Sequence, residues 1–426
     1  MKYSSAYRAK RRLRIILPVA AVLLAAGLVA ATQLPAVNSR LAWRVEIAGA
    51  YLRGIVNPVQ PMPAPRTVSA AGEVSQPTVQ PTPTGTLIPV TPTATPVISP
   101  TPLPTPTPLP GQASLTPPLY EKQDMNNCGP ATLTMFLRMY GWEGDQYDIS
   151  DQIKPIPQDR NVNVDELFNY TLHNVDWLRT GFRVGGNVDM LRAFLAAGYP
   201  VMIEEGFLME ENYWPNDDRW SGHYLLLTGY DDARQIFTVQ DSFLGENRIA
   251  TYQDLDRTWQ AFNRVYFFAY PPEDEEVIRG ILGENWDEET NRRLALETAR
   301  AETESDPDNP FGWFNLGTNL VYFGRYAEAA QAYDEARTRN LPQRMLRYQF
   351  GPFFAYFNTN RTDDLMELAE YALKITPNSE EALLWRGWGY YRLGDIARAE
   401  EDFLAALEAH PGYFDAEYAL NFIREN

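Results

Sequence analysis

Cys128 is the single cysteine of a 426-residue chain that carries only three histidines, His173, His223 and His410. A thiol acts as a nucleophile only as the thiolate, so what surrounds this one sulfur decides whether it has a chemistry. The residues after it read GPATLTMFLRMYGW, with Leu133, Phe136, Leu137 and Tyr140 at helical spacing. Pro130 suits a first helical turn, where its missing N–H costs nothing. The spacing therefore predicts Cys128 at a helix N-terminus, where free N–H groups and the helix dipole stabilise a thiolate. A cysteine that only fills space belongs more naturally mid-helix on an apolar face. Position favours reactivity.

A nucleophilic thiol needs a base. His223 opens the β-rich run SGHYLLLTGYDD, and Asp241 closes the next, TVQDSFLG. A hairpin of the two runs brings the imidazole and the carboxylate together, so that Asp241 orients the ring. Taken singly, each also reads as a structural histidine or a turn aspartate. His173, in NYTLHNVDW, reads as a solvated residue, and His410 precedes Pro411 in the helical half of the chain. Cysteine and histidine are too few for a typical zinc site, and no glycine loop of the phosphate-cradling kind is present, so neither a metal nor a cofactor is expected.

The elements that must position these residues lie in 119–272. There short helical stretches alternate with the β-rich runs PVMIEEGF (200–207), HYLLLTGYD (223–231), QIFTVQDS (235–242) and RVYFFAYP (264–271), each bounded by Gly, Pro or Asp. An acidic connector, PPEDEEV, leads into 280–426, which reads as amphipathic helices. Gly317, Gly324, Ala329, Tyr333 and Ala336 recur 70 residues later as Gly387, Gly394, Ala399, Phe403 and Ala406. Two periods of about 35 fit the tetratricopeptide length. Trp313, Leu316 and Gly317 open the first unit in that manner, and Pro342, Pro377 and Pro411 recur at the same period. The segment resembles tetratricopeptide repeats over roughly 286–426, with a middle unit that departs from the pattern at Pro352 and Phe353; an irregular helical bundle is the alternative. Such an array binds a protein partner or docks a neighbouring domain.

Before residue 119 the chain has a different character. Residues 1–14 hold six basic and no acidic residues, and an uncharged apolar run fills 15–31 and extends to 34. This is a membrane-targeting signal with its charges left inside: either a retained transmembrane anchor over 15–34 or a cleaved signal that releases a secreted protein. Residues 40–56 read as an amphipathic helix on the membrane surface or as a plain spacer. The stretch 57–118 holds 18 of the 33 prolines, with Arg66 and Glu73 as its only charges, and is expected to be a disordered, extended Pro/Thr-rich linker. Residues 1–118 carry ten Lys/Arg against two Asp/Glu; of the whole-chain charge of −18, residues 119–426 therefore hold −26. Such an acidic body is a poor partner for nucleic acid. An exported chain with one cysteine forms no internal disulfide.

The stretches QDMNNCGPATLTMFLRMYG, AFLAAGYPVMI, GHYLLLTGYDD and VQDSF, in that order, resemble the bacteriocin-processing, double-glycine-leader peptidases and their stand-alone relatives. The resemblance covers about 119–270 and implies an α+β papain-like cysteine peptidase domain, followed here by the all-α repeat solenoid. It implies Cys128 as nucleophile, His223 as general base and Asp241 as its orienter. It also implies Gln123 as an oxyanion donor, a role suited to a neutral amide. Gln123 lies five positions before Cys128, where transporter-linked members typically have six. No transporter or ATP-binding motif follows. The expected function is hydrolysis of peptide bonds by an exported, membrane-anchored enzyme, with the repeats recruiting a peptide or protein partner. A thiol amidase or acyl transferase of the same fold, and a peptidase-like protein that only binds, are the alternatives.

Overall fold

The computed structural model of the chain describes residues 48–49, 51–52, 55–56, 58, 60–66, 108–154, 161–210 and 219–425. The basic tail 1–14 and the apolar run 15–34 lie outside the described residues, and within 40–56 the described positions are helical. Among the described residues no helix is long and apolar enough to cross a membrane.

Seven antiparallel strands form one sheet: β1 (Gln112–Ser114), β2 (Arg179–Arg183), β3 (Val201–Leu208), β4 (Trp220–Asp231), β5 (Ile236–Asp241), β6 (Gly245–Thr251) and β7 (Tyr266–Tyr270). Their order is β2-β7-β3-β4-β5-β6, and β1 pairs with the far end of β4. The central strands are apolar on both faces because both faces are covered. Val201, Ile203, Leu225, Leu227, Tyr266 and Phe268 face α4 (Val188–Ala196), α5 (Tyr252–Trp259) and α6 (Glu275–Leu282). The alternate residues Met202, Tyr224, Leu226 and Phe267 face α1 (Cys128–Arg138) and α3 (Val164–Asn174), with α2 (Gln146–Ile153) beside them. The four β-rich runs read from the sequence are β3, β4, β5 and β7. The short or polar strands β1, β2 and β6 are additional.

After α7 (Glu288–Ser305) come three helical pairs: α8 (Pro310–Tyr322) with α9 (Tyr326–Thr338), α10 (Gly351–Asn358) with α11 (Thr362–Ile375), and α12 (Glu380–Arg392) with α13 (Ile396–Ala409). The last helix is α14 (Phe414–Glu425). The 70-residue recurrence is a packing requirement. A Cβ on Gly317 would lie 2.6 Å from the Tyr333 ring, and one on Gly387 would lie 2.5 Å from the Phe403 ring. Each glycine thus lets an aromatic of the second helix lie on the backbone of the first. In the irregular middle unit a 3-10 turn, Gln343–Arg347, takes the place of the first turns of a helix.

The two halves share one core. Trp220 of β4 stacks between Phe262 and Phe311, with ring centroids 5.9 and 6.0 Å away. Asn263 and Asn319 exchange amide hydrogen bonds of 3.0 and 3.2 Å in a buried setting. Arg264 pairs with Asp256 and with Glu302 of α7. Both Asn263 and Arg264 hold left-handed backbone, at φ 52° and 46°, so the chain turns sharply where the halves meet.

Two parts of the expected disordered linker are ordered. Gln112–Ser114 pairs with β4, and the flanking bonds Leu115 N–H to Thr228 O and Asp232 N–H to Gly111 O extend the pairing. Residues 111–115 are free of proline and keep the donors a sheet edge needs. Residues 60–66 lie against the helical pairs through the carbonyls of Gln60 and Pro63, since proline keeps its acceptor although it has no donor.

Candidate active site

Cys128 is the first residue of α1, so the leading N–H groups of that helix have no acceptor within it. The helix is held over the sheet by its buried residues and by the Thr132 hydroxyl, which donates to Tyr224 O at 3.2 Å. Cys128 is partly exposed and lines a cavity of about 140 Å³ together with Gln123, His223, Glu204 and Phe207.

His223 and Asp241 meet through strand pairing. Asp241 ends β5 opposite Leu225, and His223 lies two residues back along β4 on the same face. The imidazole Nε2 and the Asp241 Oδ1 are 2.8 Å apart. The same Oδ1 accepts from the N–H groups of Phe243 and Leu244 at 2.8 and 2.9 Å, so the carboxylate is held from three directions. With Nε2 committed to Asp241, Nδ1 is the ring nitrogen left to serve Cys128, which lines the same cavity. Phe207 and Phe243 flank the ring, with centroids 5.3 and 6.5 Å away. His173 is exposed on α3, and His410 ends α13 beside Glu380; neither lines the Cys128 cavity.

The electrostatics follow from this line of three. Burial pushes the Cys128 thiol up. The hydrogen bond and charge of His223, a main-chain bond from Tyr224 and the Lys154 charge outweigh it, and the thiol titrates below its usual range. For His223 burial favours the neutral ring, but the bonds to Asp241 and Cys128 push it up to about 10. Burial also raises Asp241, yet its bonds to His223, Leu244 and Phe243 hold it below the usual carboxylate range. The arrangement therefore favours the charged form of each of the three groups relative to its ordinary state.

Gln123 lies at the mouth of the cavity, fixed to the end of β5. Its N–H donates to Ser242 O, and its Oε1 accepts from the Ser242 hydroxyl, both at 2.9 Å. That anchoring turns the amide so that its acceptor is occupied and its Nε2 donors are not spent on Ser242.

Other residues of the cavity are not evident from the sequence. Glu204 is buried on β3, opposite Tyr224. Burial and the neighbouring thiolate push its carboxyl well above the usual range, while the Tyr224 hydroxyl works the other way. Its trace in the sequence is a glutamate pair inside an otherwise apolar strand. Arg344 and Arg347 of the 3-10 turn in the helical half, with Tyr348 directly after it, line the same cavity as Cys128. The Tyr348 hydroxyl lies 3.1 Å from that of Ser221, and Arg344 Nη1 donates to Trp220 O at 3.3 Å. Their trace is the departure of the middle unit from the repeat pattern. Among the described residues no group of carboxylates, histidines and cysteine is arranged to hold a metal ion.

Residues 114–267 match the model of the family described as Peptidase_C39 like family. A UPF0162 protein of Xylella fastidiosa (strain 9a5c) is 37% identical over 82 residues, which is 19% of this chain; the match spans 28% of that relative's length. Among solved structures, xylellain, a cysteine protease from Xylella fastidiosa, aligns at 16% identity over 38% of this chain and 84% of that one, with a TM-score of 0.28. The first TPR of Spaghetti (RPAP3), bound to an HSP90 peptide, aligns at 21% identity over 28% of this chain and 94% of that one, with a TM-score of 0.25.

Proposed function

We infer, from the match of residues 114–267 to the C39-like peptidase family, that this chain is a cysteine peptidase acting through Cys128, His223 and Asp241. The observation that carries the reading is the 2.8 Å contact of His223 with Asp241 in a cavity that Cys128, His223 and Gln123 line together. The thiolate of Cys128 attacks the peptide carbonyl carbon, and the carbonyl electron pair moves to oxygen. Gln123 Nε2 and a free N–H at the start of α1 receive that oxyanion. Collapse of the intermediate expels the amine, which takes its proton from the imidazolium of His223, and leaves a thioester on Cys128. A water molecule, deprotonated by the now neutral His223, then attacks the thioester and returns the thiolate. Asp241 holds the ring throughout and balances its charge.

The proposal extends to the rest of the chain. The helical pairs act as tetratricopeptide repeats that engage a protein partner; the glycine–aromatic pairs at the 70-residue spacing support this. The enzyme works outside a membrane, held by residues 15–34 or released if they are cleaved; the six basic residues before an uncharged apolar run support this. Protease added to intact cells should digest residues 40–426 and spare the basic tail, and full protection of the globular part would refute the placement.

The test of the chemistry is alkylation of Cys128 in the folded protein, combined with product analysis on peptide mixtures for the wild type and Cys128→Ala. Hydrolysed peptides that vanish in the variant are expected. Amine-exchanged products without hydrolysis would point to acyl transfer, and a thiol unreactive until denaturation would point to a protein that only binds.

A further inference from the structure

We propose that the helical half carries a binding site for an extended, proline-rich peptide with a basic end, and that residues 60–66 of the chain, QPMPAPR, are its resident ligand. The site is built on α9 and α11, the second helices of the first two pairs. Its centre is Arg337, whose side chain is 1% exposed. Arg337 Nε and Nη2 both donate to Pro63 O, at 3.2 and 2.7 Å, and its Nη1 donates to the Tyr356 hydroxyl at 3.0 Å. One turn earlier in the segment, the Tyr371 hydroxyl donates to Gln60 O at 2.8 Å. One turn later, Arg66 N–H donates to Asp364 Oδ1 at 3.0 Å, and the Arg66 guanidinium reaches Asp363 at 2.7 Å and Glu367 at 3.5 Å. Met62 packs against the shared apolar core.

The contacted residues are 60, 63 and 66, which is the three-residue period of a polyproline helix. Pro61, Pro63 and Pro65 fix φ and remove the main-chain donors, so carbonyls are the groups such a ligand can offer. The site supplies buried donors for two of them and carboxylates for the basic end. A pre-extended ligand also loses little conformational entropy on docking. Without a ligand the Arg337 guanidinium would lose both bonds to the Pro63 carbonyl, while its Nη1 keeps the Tyr356 hydroxyl and the Asp364 carboxylate at 3.4 Å. An empty site would leave Nε and Nη2 in need of another acceptor. The chain fills it in cis, so any other ligand must compete with a covalently attached one.

The test uses the full chain and a variant altered only in the segment, Met62→Gly, Pro63→Gly and Arg66→Ala together, which leaves every helix of the site unchanged. The probe is a fluorescent synthetic peptide of residues 58–68. The variant is expected to bind the probe at least tenfold more tightly than the wild type does, because its own segment no longer competes. A probe carrying Arg66→Ala should bind the variant more weakly, and amide exchange in 326–338 and 362–375 should be faster in the variant until the probe is added. Equal or weaker binding by the variant would overturn occupancy in cis, and no binding by either chain would overturn the site. Peptidase activity is not the readout, so the proposal stands or falls apart from the catalytic reading.

Discussion

His223 and Asp241 are bonded on the diagonal of a strand pair: Leu225 is the residue opposite Asp241, and the 2.8 Å contact from Nε2 to Oδ1 reaches two residues back along β4. The bond therefore depends on strand register, which the buried faces of β4 and β5 fix. In Asp241→Asn the amide oxygen still accepts from the ring and from Phe243 and Leu244, but its negative charge is gone. The imidazolium loses support and its pKa should fall from about 10 toward the ordinary range near 6.5. The alkaline limb of the activity profile should move to lower pH, as read by kcat/KM against pH.

The stability linkage has the same sign. A histidine whose folded pKa is raised to about 10 contributes stability in full below its unfolded value of about 6.5, and that contribution disappears as pH passes about 10. Thermal melts of the wild type and His223→Ala should thus converge at high pH. In the same variant the thiol loses the bond and charge of His223 and keeps only the Tyr224 main-chain bond and the Lys154 charge against its burial. Cys128 should then titrate higher than in the wild type, by iodoacetamide rate against pH, and peptide turnover should fall by about 10²–10⁴.

The role proposed for Gln123 is on the oxyanion and not on the thiol. Gln123→Ala should leave the alkylation profile in place and slow turnover by about 10²–10³. Ser242→Ala removes the hydroxyl that holds the amide acceptor at 2.9 Å, so it should produce a smaller loss of the same kind, in kcat rather than KM.

Glu204 is predicted to be a neutral acid in the folded protein. Its raised folded pKa means that folding is favoured most below the unfolded value of about 4.3 and is weakened as pH rises toward the folded one. Glu204→Gln keeps the shape and removes that loss. The gain in Tm should be absent near pH 4 and should grow toward neutrality.

Trp220 ties the two halves. Trp220→Ala should cost about 3–5 kcal/mol, as for a large buried aromatic. Near-ultraviolet circular dichroism and accessibility of Cys128 should then report a single, lowered transition. Two separate transitions would show that the halves are independent.

The parts of this molecule legible in the sequence are those governed by local rules. A proline three positions into an amphipathic pattern marks the start of α1, and two apolar runs around a turn mark the hairpin that carries His223 and Asp241. The glycine–aromatic recurrence is legible because a Cβ at Gly317 or Gly387 would collide with a ring. Contacts made by main-chain atoms leave weaker traces. Nothing in the composition of 60–66 distinguishes a free spacer from one whose carbonyls are taken up by distant residues, and the only mark of the pairing at 111–115 is its lack of proline. The far wall of the cavity is hidden for a related reason. Arg344, Arg347 and Tyr348 are more than 200 positions from Cys128, and only the three-dimensional packing of Trp220 against both halves brings them across.

That distance has a consequence for how the protein comes into being. A ribosome releases Cys128, His223 and Asp241 well before the 3-10 turn at Gln343–Arg347, so the growing chain holds all three side chains while one side of their cavity is still missing. The site is closed on that side only when translation has passed residue 348. A chain truncated before that point would hold its thiol in a cavity that lacks Arg344, Arg347 and Tyr348.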